Sequence, residues 1–283
     1  MQKSDLLLDK TVGFIGGGNM AQAIGIGLIK KNALKPNNIW ASSNTEKTLS
    51  VWKDYGMNAT LHNYEVIEHC DIIFLSVKPH ILNEALQTCK SPSGVFKGKL
   101  YISVIVGISL NVLEEKLSKI DENPKIVRSM PNTPMMVSEG ITVYCCSNVP
   151  EAEEKIVKTL FSLLGMCEKI SESLINSAGG LTGSGPAYLY TVIEALADGV
   201  VKKGVPRELA TKFAAQVLVG AGKMVLKTEK HPGQLKDEVC SPNGSTIAGI
   251  SEIERGGVRS SMINAVEAAV NKSDELALLS IKD

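Results

Sequence analysis

The sequence predicts an α/β protein: a doubly wound, mostly parallel sheet followed by an all-helical domain. Three observations predict it. In the front half, continuous apolar runs alternate with segments of helical spacing, the pattern of strands buried on both faces and connected by crossover helices. The first such run ends in three glycines before a helix begins. After about Ser171 the strand signals stop, and only helical periodicities bounded by Gly or Pro remain. The expected division is residues 1–170 for the sheet domain and 171–283 for the helical one.

Taken in order, "TVGFIG" (residues 11–16) reads as the first strand, "NMAQAIGIGLIKKN" (19–32) as its helix and "NIWASS" (38–43) as the second strand. "DIIFLSVKP" (71–79) and "LYISVIVG" (100–107) are two further strands, followed by the helical patterns "HILNEALQTCK" and "SLNVLEEKLSK". "KIVRSM", "GITVYCC" and "MCEKIS" complete the strand candidates, with a helix from Pro150 to Gly165 between the last two; proline at the start and glycine at the end are ordinary helix punctuation. Beyond them the helical segments cover 174–180, 186–204, 206–228, 232–240, 245–257 and 258–280. Their richness in Ala, Gly and Leu leaves several apolar on more than one face, as helices at subunit interfaces are.

Composition narrows the function. Thirty basic residues balance thirty acidic ones in 283, so no general attraction to nucleic acid or to anionic membrane is expected. No uninterrupted apolar run approaches a bilayer-spanning length, and the opening "MQKSDLLLDK" is too short and too acidic for a targeting peptide. The expected location is the cytoplasm, with mitochondrion or plastid left open. Six scattered cysteines show no metal or redox spacing and read as buried thiols in a reducing compartment; no metal site is expected.

Gly16, Gly18 and Ala21 form a G-x-G-x-x-A fingerprint between a strand and a helix. Glycines there let a pyrophosphate reach the backbone amides of the helix start, a site for NAD or NADP; this makes the first domain Rossmann-type. Where a carboxylate would hold the ribose of NAD, the second strand instead ends in Ser42, Ser43, Asn44 and Thr45, with Lys47 a turn on. Hydroxyls and an amide suit a 2′-phosphate, so the pattern favours NADP(H) over NAD(H). The same residues also fit a plain helix cap. Loops at the carboxyl ends of parallel strands face the ligand crevice, which makes Val77, Lys78 and Val106 cofactor neighbours; Asn63 fits either that role or an N-cap.

In the helical half two loops stand out. "GGLTGSGPAY" (179–188) is glycine-rich, yet no strand precedes it, so it reads as a helix start packed closely against something rather than as a phosphate loop. "CSPNGSTI" (240–247) turns through Pro242, Asn243 and Gly244 into a helix whose first amides (Gly244, Ser245, Thr246) suit a carboxylate. An ordinary capped helix start fits this loop too. The four histidines pair with no nucleophile at a recognisable spacing.

"GFIGGGNMA", "FLSVKP", "SMPNTP", "GLTGSGPAY", "HPGQLKDEV" and "SPNGSTI", in this order, resemble pyrroline-5-carboxylate reductase from about Val12 to Leu278. The resemblance implies NAD(P)H-dependent reduction of L-1-pyrroline-5-carboxylate to L-proline, by a homodimer with interlocked helical domains that assembles into a larger ring such as a decamer. It implies that Gly17, Asn19 and Met20 line the pyrophosphate, that Ser43 meets the adenosine ribose or its phosphate, and that Asn63, Val77, Lys78 and Pro79 flank the cofactor, with Asn132 in the cleft loop. Ser241, Gly244, Ser245 and Thr246 would contact the substrate's carboxylate and imine, with Glu229 a polar partner and Thr246 the catalytic group. The second glycine run would then open a central helix of the dimer. Asn243 stands where many relatives have glycine, and Cys240 where Ser or Thr is common. A β-hydroxyacid dehydrogenase shares the layout but needs a central-helix lysine, and none follows "GSGPAY" before Lys202. A non-catalytic NADP(H) sensor is the remaining alternative.

Overall fold

The computed structural model describes Leu7 and residues 9–91 and 94–280; residues 1–6 and 8 of the opening segment lie outside the described residues. Among the described residues eight strands form one sheet: β1 (Val12–Ile15), β2 (Ile39–Ser42), β3 (Asn58–Thr60), β4 (Ile72–Leu75), β5 (Leu100–Ser103), β6 (Lys125–Met130), β7 (Gly140–Ser147) and β8 (Gly165–Lys169), in the order 3-2-1-4-5-6-7-8. The apolar runs predict this because successive side chains point to opposite faces. Phe14, Phe74 and Ile102 enter a core on one side of the sheet. Ile15, Ile73, Leu75 and Tyr101 enter a second core on the other.

The helices covering these faces are α1 (Asn19–Lys30), α2 (Glu46–Asp54), α3 (Asn63–His69), α4 (Leu82–Gln87), α5 (Leu110–Leu117), α6 (Glu151–Ser162) and α7 (Glu172–Thr182). Two features depart from the sequence reading. β3 has no apolar run to announce it: it is a three-residue edge strand paired to β2. β7 runs antiparallel to β6, because residues 131–139 between them hold only a 3-10 segment at Thr133–Val137, too short a link to carry a parallel crossover.

The chain folds into two units. One extends to Ser184 and takes back the chain from Ala269; the other is Gly185–Ala268. α7 belongs to the first, where it packs on β6 and β7. Gly179 of α7 lies close against β6: an added Cβ would be 2.9 Å from Cε of Met130, whose side chain would have to shift. The first part of the second glycine run therefore serves a close helix-to-sheet approach.

The second unit contains α8 (Gly185–Val201), α9 (Arg207–Thr228), α10 (Pro232–Val239), α11 (Ser245–Arg255) and the start of α12 (Val258–Ser280). Its own core is small, built on Ala197, Ala210 and Ala214. Large apolar side chains stand outside it: Tyr190 is 60% exposed, Phe213 55%, Val217 63% and Leu226 65%. α9 is also long and apolar enough to cross a bilayer by length and composition. No unbroken apolar run announces it, because Lys and Gln residues interrupt its Ala-, Val- and Leu-rich sequence.

Candidate active site

The first half-site grows from the end of β1. Gly16 has φ +94°, a conformation side chains resist, and its N–H and that of Gly17 both donate to the carbonyl of Ser42, at 3.2 and 2.7 Å. The turn is thereby fastened to the end of β2. Gly18 then precedes the first turn of α1, with no side-chain cap and no acidic residue in that turn. The amides of Asn19, Met20 and Ala21 are among those an α-helix leaves without internal acceptors. A Cβ on Gly18 would meet nothing within 4 Å. Open space over unsatisfied amides at a positive helix end fits a pyrophosphate. Ala21 is fully buried against the core, so its methyl sets the helix-to-sheet distance.

Beside this turn lies a cavity of about 220 Å³ lined by Gly16, Ser42, Ser43, Asn63, Val77 and Lys78, among others. With Asn44, the structure thus brings together seven residues that the sequence singled out from four separate segments. Ser42 is fully buried; its hydroxyl donates to Oδ1 of Asn63 at 2.5 Å. The Asn63 amide in turn donates to the carbonyl of Ala85 and to Oγ1 of Thr88. Ser42 and Asn63 therefore shape the wall, whereas Ser43, half-buried, and Asn44, exposed, offer their polar groups to a ligand. Thr45 is the N-cap of α2 without a side-chain cap bond; its hydroxyl donates to that of Thr48 at 2.8 Å, and Ser43 Oγ accepts from Thr45 N–H at 3.4 Å. Glu46 faces Lys53 at 3.5 Å. Pro79 opens a 3-10 turn after Lys78, and Val106 is half-buried in the loop beyond β5. Sequence reasoning missed Ile81, Glu84, Ala85 and Thr88 of the same cavity. Only their place after β4 could have signalled them.

Asn132 is 6% exposed, and its amide group is used internally. Nδ2 donates to the carbonyl of Thr182 at 2.8 Å, and Oδ1 accepts from Ile141 N–H at 2.9 Å. It joins the end of α7 to the start of β7. A second buried linkage went unseen in the sequence. The Arg128 guanidinium donates to Glu172 at 3.1 Å and to Asn176 at 2.7 Å, and Glu172 also accepts from Leu110 N–H.

The second half-site lies in the helical unit. Asn243 has φ +55°; asparagine tolerates the left-handed turn that glycine would otherwise take. Gly244 is the N-cap of α11, without a side-chain cap or acidic first turn. Its N–H donates to the Ser241 carbonyl at 3.1 Å, whereas the first-turn amides of Ser245, Thr246 and Ile247 are among those an α-helix leaves without internal acceptors. A Cβ at Gly244 would lie 2.5 Å from Oγ of Ser241, so that hydroxyl sits close over the turn. Thr246 is half-buried and Ser245 exposed. Glu229, exposed, ends α9 at φ +55°. His231 caps α10 by accepting from Gly233 N–H at 3.1 Å.

Cys70, Cys89, Cys145 and Cys167 are buried, while Cys146 and Cys240 are half-buried. Burial pushes the thiols of Cys70, Cys89 and Cys167 up to about 12 and that of Cys145 up to about 11. These four are inert packing groups. Among the described residues no cluster of His, Cys, Asp or Glu suits a metal.

A doubly wound sheet with a glycine fingerprint, a polar cavity at the ends of β1, β2 and β4, and a separate helical unit defines an NADP-linked oxidoreductase with an oligomerisation module. Comparisons agree. Residues 11–107 match the family model described as NADP oxidoreductase, coenzyme F420-dependent, and residues 172–276 match pyrroline-5-carboxylate reductase dimerisation. The chain is 43% identical to rat pyrroline-5-carboxylate reductase 2, covering 94% of this chain and 83% of that protein, and 42% identical to the Arabidopsis thaliana enzyme, covering 94% and 95%. The crystal structure of Plasmodium falciparum pyrroline carboxylate reductase with NADP bound superimposes with a TM-score of 0.85 at 35% identity, covering 96% of this chain and 99% of that one. The chain belongs to the pyrroline-5-carboxylate reductase family. It is an oxidoreductase, and its cofactor is NADP(H).

Proposed function

We infer that this chain reduces L-1-pyrroline-5-carboxylate to L-proline, the last step of proline biosynthesis. The observation that carries the reading is the family match over nearly the whole chain, and the helix start at Ser245–Thr246, free of capping side chains and acids, is compatible with it. In this reading residues 1–170 bind the dinucleotide, and residues 171–283 bind substrate and form the dimer.

The substrate is a cyclic imine carrying a carboxylate. Protonated on nitrogen, its imine carbon is already electrophilic, so the protein's task is mainly positioning. The bound nicotinamide supplies a hydride to that carbon; the electron pair of the C=N bond returns to nitrogen, which becomes the amine of proline. The amides of Ser245, Thr246 and Ile247, with Ser241, hold the carboxylate. Thr246 hydrogen-bonds the ring nitrogen and keeps it aligned through the transfer. Gly18, Asn19 and Met20 hold the pyrophosphate, Gly17 having its N–H and carbonyl bonded within the turn, while Ser43 and Asn44 meet the 2′-phosphate, with NAD(H) as the weaker alternative.

The exposed apolar faces of α8 and α9 support a homodimer that interlocks through these helices, and the dimers assemble into a ring such as a decamer. The deciding assay follows NADPH absorbance with pyrroline-5-carboxylate and then with a β-hydroxyacid plus NADP. Turnover of the second alone would assign the chain to the dehydrogenase class, and turnover of neither to a sensor. Light scattering counts the subunits.

A further inference from the structure

We infer that Trp52 is a positioning residue for the bound dinucleotide: together with Gln22 it locks the peptide plane that aims the Gly18 N–H at the pyrophosphate. The inference rests on NADP(H) binding at the β1–α1 turn and adds a residue from α2 that the fingerprint does not contain.

Three contacts converge on Gly17. Its N–H donates to the Ser42 carbonyl at 2.7 Å. Its carbonyl accepts from the indole Nε1 of Trp52 at 2.9 Å and from Nε2 of Gln22 at 2.9 Å. In a trans peptide the carbonyl of one residue and the N–H of the next point in opposite directions. Two donors holding the Gly17 oxygen on the protein side therefore hold the Gly18 N–H on the other side. There, no acceptor among the described residues receives it, and a Cβ on Gly18 would meet nothing. A glycine-rich turn is otherwise soft, because glycine populates both signs of φ. Fixing this peptide before binding removes an ordering cost that the cofactor would otherwise carry.

The indole is itself rigidly placed. Trp52 is 1% exposed, its ring lies 5.1 Å from that of Phe14, and it fills the space left by Gly25, where a Cβ would come within 2.8 Å of Cζ3. That packing uses the carbons of the ring and does not require its N–H. What the indole adds is a donor whose partner is the backbone of the phosphate turn.

The test separates orientation of the turn from packing of the unit. NADPH and adenosine 2′-monophosphate, which lacks the pyrophosphate, are titrated calorimetrically into the full chain and into W52F and Q22M. W52F keeps a ring and loses the donor; Q22M keeps length and loses the amide. Losing one neutral hydrogen bond corresponds to a rise in the NADPH Kd of about 3- to 10-fold, with adenosine 2′-monophosphate binding unchanged and kcat at saturating NADPH unchanged. The double variant should match or exceed the product of the two, since with one donor left the carbonyl is held less firmly and with neither it is released. Unchanged NADPH affinity in either soluble variant overturns the inference, as does an equal loss of both ligands. If W52F does not fold, Q22M alone decides on the same criteria. Failure of the unsubstituted protein to bind NADPH would instead overturn the cofactor assignment beneath it.

Discussion

Gly16 and Gly18 stand two residues apart in one turn, yet replacing each by alanine should have separable consequences. At Gly16, φ is +94°, which costs a residue with a Cβ about 1–2 kcal/mol. The new methyl would also sit 2.9 Å from the Ser76 carbonyl oxygen and 2.8 Å from Cγ1 of Val77. Backbone cannot yield as a side-chain tip does, and overpacking of this kind adds about 1–3 kcal/mol. Together these predict a loss of about 2–5 kcal/mol, or a Tm lowered by roughly 4–20 °C at about 2–4 °C per kcal/mol. At Gly18, φ is −74° and the space is open, so Gly18→Ala should cost only about 0.5 kcal/mol for a poorer N-cap and move Tm by about 2 °C or less. Its methyl, however, occupies the space over the α1 amides. NADPH affinity should fall by about 10- to 100-fold, equivalent to about 1.4–2.8 kcal/mol. Differential scanning fluorimetry and calorimetric titration on the same samples read both quantities. A Gly18→Ala protein that binds NADPH as tightly as the original refutes the placement of the pyrophosphate.

Thr246→Ala should lower kcat by about 10- to 1,000-fold, the range for one positioned polar contact; an unchanged rate under saturating substrates removes Thr246 from the mechanism. Val217→Lys on the exposed face of α9 should shift the protein toward monomer by about tenfold or more in dissociation constant, read by light scattering; an unaltered mass would show that this face is not the contact. The four buried thiols, raised by burial above the free value of 9.0, bind their protons more tightly folded than unfolded. Their contribution is therefore fully present below pH 9 and lost as pH rises toward 11–12. Urea midpoints measured from pH 8 to 11 should fall across that window, and a flat profile would contradict the burial of these groups.

How much of this was legible in the sequence depended on whether a signal was local. The buried strands announced themselves, since residues 12–15 and 72–75 are apolar at every position but Gly13 and lie between helical periods. β3 carried no such signal, being three half-buried residues held by pairing to β2. Of the candidate cofactor residues, Gly16, Ser42, Ser43, Asn63, Val77 and Lys78 converge on one cavity, as the rule of carboxyl strand ends requires. Residue type did not reveal how each is used. Ser42 and Asn63 bond to one another, and Asn132 spends its amide on Thr182 and Ile141. The Gly244 N–H, read as part of a carboxylate cradle, closes its own turn instead.

The sequence alone determined the strand–helix alternation, the glycine fingerprint and the change to helices after Ser171, because apolar periodicity and backbone freedom are properties of neighbours along the chain. Tertiary structure alone decided the antiparallel seventh strand, the partners of Asn132 and Arg128, and the indole of Trp52 on the Gly17 carbonyl, 35 residues away. Hydrogen bonds between distant segments depend on how the sheet orders its strands, and no local pattern encodes that order.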